Sequence, residues 1–172
     1  MGFALVGLAS GTVEGVQAVI VYMAIYVVMT LGTFAGILLM RRDGKAVETI
    51  DDLAGLSRTD PAMAFYLAAM MFSLAGVPPL AGFFAKFYVF AAAIKAGLVG
   101  LSVIGVLASA VGAYYYLRIV KLMYIDDPAA AFDRRSLVAS SVLAVAALLV
   151  IVFVFAPTLL TNAAMAAAQT LF

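Results

Sequence analysis

Cysteine and histidine are both absent from this chain. Without cysteine the chain holds no disulfide, no thiolate metal ligand and no iron–sulfur cluster of its own. Without histidine the commonest metal ligand and general base are missing as well. Any proton chemistry must then use lysine, carboxylates, tyrosine or water. Charge is scarce, at 11% of 172 residues, where a soluble domain carries about 25%. The net charge of +1 gives no argument for a nucleic-acid partner. Signal-peptide features are also lacking: MGFALVGLASGTVEG has no basic n-region and only a short apolar run. It reads as the last turns of a helix whose beginning is absent, so the chain is expected to be a piece of something longer.

What is present is apolar. Hydrophobic residues make up 67% of the chain, which points to an all-α polytopic membrane protein in contact with lipid. Charges punctuate four uncharged runs, 15–40, 61–85, 96–117 and 136–172. A spanning helix needs about 20 apolar residues. Helices are therefore expected at about 15–40, 98–124 and 136–156, with a weakly amphipathic tail at 158–172 lying on the membrane surface or against a neighbour. The stretch 61–96 is too long for one ordinary span. Pro78, Pro79 and Gly82 break it into halves at about 61–77 and 82–96. If the halves cross once, the basic groups Arg41, Arg42, Lys45, Arg58 and Arg118, Lys121, Arg134, Arg135 fall on one face. The positive-inside rule favours that solution. It predicts that loops 41–60 and 118–135 are cytoplasmic and that the C-terminus is on the opposite, periplasmic face. Loop 43–60 is expected to hold a short amphipathic helix with Ile50, Leu53 and Leu56 on one side.

Lys86 stands out within SLAGVPPLAGFFAKFYVF. An ionisable residue at membrane depth is costly and reads as functional by default. Interrupted helices with a polar group at the break recur in ion transport. The plainer reading is a lysine that reaches to the interface, as expected of Lys95. Lys86 lies nine residues earlier, roughly 13 Å deeper along a helix. No Asp or Glu occurs in the apolar runs, so a counter-charge has to come from elsewhere.

Further polar residues repeat at helical spacing. Tyr22, Tyr26, Thr30 and Thr33 form a stripe on the first long helix. Tyr66 and Ser73 are seven apart, as are Ser102, Ser109 and Tyr116. These stripes could line a hydrated path around Lys86, or serve ordinary interhelical hydrogen bonding. In YYYLRIVKLMY, Arg118 and Lys121 anchor an aromatic belt or join the proton path. Gly32, Gly36, Gly105 and Gly112 suit close helix packing. Asp51, Asp52, Asp126 and Asp127 read as solvated loop acids.

The run FSLAGVPPLAGFFAKFYVF followed by SAVGAYYYLRIVKLMY resembles the C-terminal part of the subunit N family of bacterial respiratory complex I. The related L and M types share the SLAG-P-GF core. In the L type the lysine is usually followed by an acidic pair, and in the M type a glutamate replaces it. Here Phe87-Tyr88-Val89 follows, as in the N type. The resemblance implies an antiporter-like fold of two inverted bundles, each with one discontinuous helix, of which this chain holds most of the second. It implies a proton-channel role for Lys86. It implies that NADH, FMN, iron–sulfur clusters and quinone belong to partner subunits and that none is bound by this chain. Types M and K are the implied neighbours in a bacterial inner membrane. The buried Glu and Lys residues of the first bundle lie outside this sequence, in a missing N-terminal part or a separate chain. A multisubunit cation/proton antiporter, or a structural module in which Lys86 only pairs a neighbour, are the other readings.

Overall fold

The computed structural model describes residues 2–134 and 136–171. Arg135, counted above among the basic loop residues, lies outside the described residues. A short helix α1 (Gly2–Leu8) precedes α2 (Val13–Leu38). The side chain of Thr12 caps α2 by accepting from the amide of Gly15 at 3.1 Å. Next come β1 (Arg41–Arg42), β2 (Lys45–Ala46), a 3-10 turn (Ile50–Leu53) and α3 (Leu56–Thr59). Helices α4 (Pro61–Ala75), α5 (Ala81–Lys95), α6 (Val99–Ile125) and α7 (Leu137–Val152) follow. A 3-10 turn (Phe153–Phe155) then leads into α8 (Pro157–Gln169). Among the described residues, three helices are long and apolar enough to cross a membrane: Val13–Leu38, Val99–Ile125 and Leu137–Phe155.

Helices α4 and α5 have 15 residues each, so each is roughly 22 Å long and falls short of a 30 Å hydrocarbon core. They lie end to end along α2. Gly36 of α2 meets Leu67, Gly32 meets Met70, and Met29 meets Ser73. Past the break the pairing continues in the same direction. Tyr22 and Lys86 border one cavity, and Glu14 and Lys95 border another. The two halves thus pass α2 once, antiparallel to it. Helix α6 returns beside them, with Gly105 against Phe90 and the Leu122 carbonyl accepting from the amide of Gly55. Helix α7 runs alongside α4 and places Ala146 against Gly32. Beyond it, α8 docks on the start of α2: Gln17 Nε2 donates to the Thr161 carbonyl at 2.9 Å, and Ala164 and Ala168 are buried. The tail therefore packs within this chain.

The loop after α2 departs from the expected amphipathic helix. Asp43 (φ 52°) and Gly44 (φ 75°) form a tight turn between β1 and β2, because Asp-Gly tolerates the two positive φ angles that a two-residue hairpin needs. The leucine pattern is then divided between two short elements. Leu53 and Leu56 are buried, whereas Ile50 is exposed. Arg42 joins this loop to the segment after α6. It pairs with Asp52 at 3.0 Å, donates to the Ala130 carbonyl at 2.7 Å and lies over the Phe132 ring. Asp133 accepts from the amides of Asp43 and Gly44. Both basic loops consequently sit at one end of the bundle. Asp52 is not simply solvated: the Thr49 hydroxyl and the Arg42 guanidinium hold its carboxyl below the usual carboxylate range. A depressed folded-state value means that the stabilisation is present above the unfolded value and fades as pH falls through the folded one. Asp52→Asn is therefore expected to lower the melting temperature at pH 7. The gap from wild type should close as the pH is taken below about 4. Thermal melts across pH in detergent check this.

Candidate functional site

Helix α4 ends because Gly76 takes a left-handed conformation (φ 88°). Its amide and that of Val77 turn back to the Phe72 carbonyl, in the manner of a Schellman cap. Pro78 and Pro79 then occupy the turn, with a cis bond between them. The last carbonyls of a helix have no intrahelical partner. Two of them, Leu74 O and Ala75 O, accept from Lys86 Nζ at 2.9 and 3.0 Å. The third donor goes to Ser109 Oγ on α6 at 2.8 Å. All three ammonium protons are thus used. The Phe3 ring adds a cation–π contact at 5.3 Å.

Electrostatically, the broken helix does for Lys86 what a carboxylate would do. The carbonyl end of α4 carries the negative end of its dipole, which favours a cation in the last turn. The ion pairs seen among the described residues, Arg42–Asp52, Arg58–Asp127 and Lys121–Asp126, all lie at the loop end of the bundle. Lys86 is held by dipoles and a hydroxyl instead.

Two small residues permit this geometry. A Cβ on Gly76 would stand 3.2 Å from both Cδ and Nζ of Lys86. A Cβ on Gly82 would stand 1.9 Å from the Ser73 carbonyl oxygen. Gly82 is not part of the unwound stretch; it lies in the first turn of α5, where it lets the two half-helices cross. Its amide donates to Ser73 Oγ at 2.9 Å, and that hydroxyl reaches Met29 Sδ at 3.0 Å.

A cavity of about 420 Å³ adjoins Lys86. Tyr22, Tyr26 and Met29 wall it from α2, and Ser109, Gly112 and Tyr116 wall it from α6. The rings of Tyr22 and Tyr26 stack with centroids 5.8 Å apart. The volume leaves room for several waters, between walls that are mainly apolar with Lys86, Ser109 and the tyrosines as the polar points.

The structure thus brings Lys86, Tyr22, Tyr26, Tyr116, Ser109 and Gly82 together. Thr30 and Arg118 are not among the cavity's lining residues, and Arg118 is exposed. Thr33 donates to the Met29 carbonyl at 2.8 Å and borders a separate apolar pocket with Met40 and Leu67. Ser73 is fully buried in the helix crossing and does not face the cavity. Sequence reasoning missed Phe3 and the Leu74 and Ala75 carbonyls. The glycine before Pro-Pro was a readable sign of a helix ending whose carbonyls need a donor.

The chain is similar to known proteins. The family model described as "NADH:quinone oxidoreductase/Mrp antiporter, TM" matches residues 1–112. A relative from Azorhizobium caulinodans named NADH-quinone oxidoreductase subunit N is 67% identical over the whole chain. One of the same name from Beijerinckia indica is 64% identical over the whole chain. The chain spans 36% of the length of each. Among solved structures, it is similar to a chain of respiratory complex I from Thermus thermophilus with bound aureothin, at 30% identity and a TM-score of 0.79. That match covers 94% of this chain and 36% of the other. A chain of the Mrp complex from Dietzia sp. DQ12-45-1b shares the fold, with a TM-score of 0.83 at 21% identity over 97% of this chain and 40% of its own length.

Proposed function

This chain belongs to the NADH:quinone oxidoreductase/Mrp antiporter transmembrane family, and from that premise we propose that it is the C-terminal bundle of a subunit N in the membrane arm of respiratory complex I. In this reading it moves protons while partner subunits carry NADH, FMN, iron–sulfur clusters and quinone. The observation that carries the reading is Lys86 placed beside the break between α4 and α5, bonded to the freed carbonyls of Leu74 and Ala75 and bordering a tyrosine-walled cavity. The high identity to proteins named subunit N supports complex I over an antiporter assembly. The fold likeness to the Mrp chain does not separate the two, since it is a matter of fold alone.

The mechanism follows from the donors and acceptors present. As an ammonium, Lys86 is satisfied by two carbonyls and one hydroxyl. Ser109 can either accept from the amine or donate to it, so the bond survives loss of a proton. The hydroxyls of Tyr22, Tyr26 and Tyr116 give waters in the cavity fixed partners through which a proton can pass. A charge arriving from a neighbouring subunit shifts which state is favoured. The absent first bundle and the M- and K-type neighbours are the proposed sources of that charge. Loops 41–60 and 118–135 are proposed to face the cytoplasm of a bacterial cell, with the C-terminus periplasmic.

Affinity purification through a tag on this chain in mild detergent, with identification of every co-purifying protein, tests the assignment. Redox subunits of complex I are expected. Recovery with antiporter subunits alone would sink it. Within the site, Ser109→Ala removes the one side-chain hydrogen-bond partner of Lys86 among the described residues. It is expected to slow proton transfer several-fold and leave assembly unchanged, as read by proton uptake in membrane vesicles.

A further inference from the structure

A second concave site lies between α4 and α7 and shares no lining residue with the Lys86 cavity. Its upper chamber, about 830 Å³, sits at the loop end and is lined by Asp60, Asp133, Arg134, Ser140 and Ser141. Next to it along the helices runs a trough of about 280 Å³ with Phe65, Val145, Leu148 and Ile151 on its walls. Tyr66 and Ala144 border both, so chamber and trough are continuous. We propose that this groove binds one phospholipid with a primary-amine, ethanolamine-type headgroup, its head in the chamber and an acyl chain in the trough.

The polarity of the groove changes where that of a phospholipid does. The trough lies on a segment long and apolar enough to cross a membrane, which puts it at the depth of acyl chains. The chamber carries both signs of charge, which fits a zwitterion. Arg134 and the Ser140 hydroxyl supply donors for a phosphate, whereas the Ser141 hydroxyl donates to the Val138 carbonyl at 2.8 Å. The Asp133 carboxylate accepts from the amides of Asp43 and Gly44, which uses about half of its lone-pair sites. The remaining sites can take an ammonium. A choline head has no N–H to offer them, and a purely anionic head sets like charge against Asp133. Tyr66 stands at the junction, the depth at which an amphipathic ring is favoured. A protein helix with its side chains is about 10–12 Å wide and would carry apolar surface up into the charged chamber.

The test uses native membranes containing the tagged chain together with whatever it assembles with. A phosphatidylethanolamine bearing a photoactivatable acyl chain is added, and cross-linked residues are mapped by mass spectrometry. The apolar exposed face of α6, with Val103, Leu107 and Val111, serves as the internal reference for ordinary boundary lipid. Labelling of Phe65, Val145 and Leu148 is expected to exceed that reference several-fold. Unlabelled phosphatidylethanolamine should compete, and phosphatidylcholine and phosphatidylglycerol should compete poorly. Ala144→Phe, which fills the trough, and Arg134→Ala, which strips the chamber at an exposed position, should each return labelling to the reference level. If Ala144→Phe fails to fold, Arg134→Ala still reads the headgroup contact. Even labelling of both faces, equal competition by all three lipids, labelling unaffected by Arg134→Ala, or cross-links to another polypeptide in place of lipid would each overturn the proposal.

Discussion

Lys86→Arg is expected to leave the protein folded and inserted yet to cut proton translocation at least tenfold, equivalent to about 1.4 kcal/mol of added barrier. The choice of arginine follows from the two jobs that Lys86 does. Its ammonium caps the last carbonyls of α4, at Leu74 and Ala75. In the proposed mechanism it also gives up and regains a proton. Lys86→Met removes both together. The stranded carbonyls then cost about 1–3 kcal/mol each, so a loss of flux in that variant is ambiguous. A guanidinium retains donors for the two carbonyls but does not deprotonate in proteins. If Lys86 is only a structural cap, arginine should preserve proton flux and methionine should damage assembly. If Lys86 carries the proton, arginine should assemble normally and fail in transport. The readout is proton uptake per NADH oxidised in vesicles, normalised to the amount of assembled chain. Normal flux in Lys86→Arg would refute the proton-carrier role while leaving the helix cap intact.

The residues of this site differed in how readable they were, and the difference is physical. Lys86 and the Pro78-Pro79 break announce themselves locally, as a charge in an apolar run and as two residues unable to continue a helix. Tyr22, Tyr26 and Tyr116 were legible through helical spacing. Thr30 was misplaced by the same rule. Two steps of four residues accumulate about 80° around a helix of 3.6 residues per turn, enough to take Thr30 off the cavity face. Thr33 returns to that face but lies roughly 16 Å along from Tyr22, where its hydroxyl bonds the Met29 carbonyl. The main acceptors of Lys86 are backbone oxygens, and backbone carries no residue signature. Phe3 was invisible because a single aromatic in a short apolar stretch has no pattern to belong to. In the loop, the Asp43-Gly44 turn signal was present, but the leucine spacing that follows it suggested one helix where the chain makes two short ones. The lining of the Lys86 cavity was therefore readable wherever it is made of side chains at helical spacing, and hidden wherever it is made of main chain.

Gly82→Ala should be the most damaging single-methyl substitution in this site, with folded protein largely lost from the membrane. The added Cβ would lie 1.9 Å from the Ser73 carbonyl oxygen and 2.7 Å from its carbon. Both are backbone atoms at the end of α4, so no rotamer change relieves the clash. Either the two half-helices part, or the bond from Gly82 N to Ser73 Oγ breaks. Overpacking in a tight core costs about 1–3 kcal/mol and sometimes more, and a backbone obstacle belongs at the upper end of that range. Gly100→Ala is the matched control, since nothing lies within 4 Å of its added Cβ. It should be neutral to within about 0.5 kcal/mol. A rescue experiment separates this mechanism from general intolerance of larger residues in packed helices. At Gly36 the obstacle is the Leu67 side chain, at 2.3 Å. The defect of Gly36→Ala should therefore be relieved by adding Leu67→Ala. At Gly82 the nearest obstacle is main chain, so adding Ser73→Ala removes the Oγ contact at 2.8 Å but leaves the carbonyl in place. That double variant should stay defective. Size-exclusion profiles of the detergent-solubilised, fluorescently tagged proteins compare all five variants directly. Recovery of the Gly82→Ala, Ser73→Ala double variant would mean that the half-helices are held apart by side chains. The close backbone crossing that delivers Lys86 to the end of α4 would then have to be redrawn.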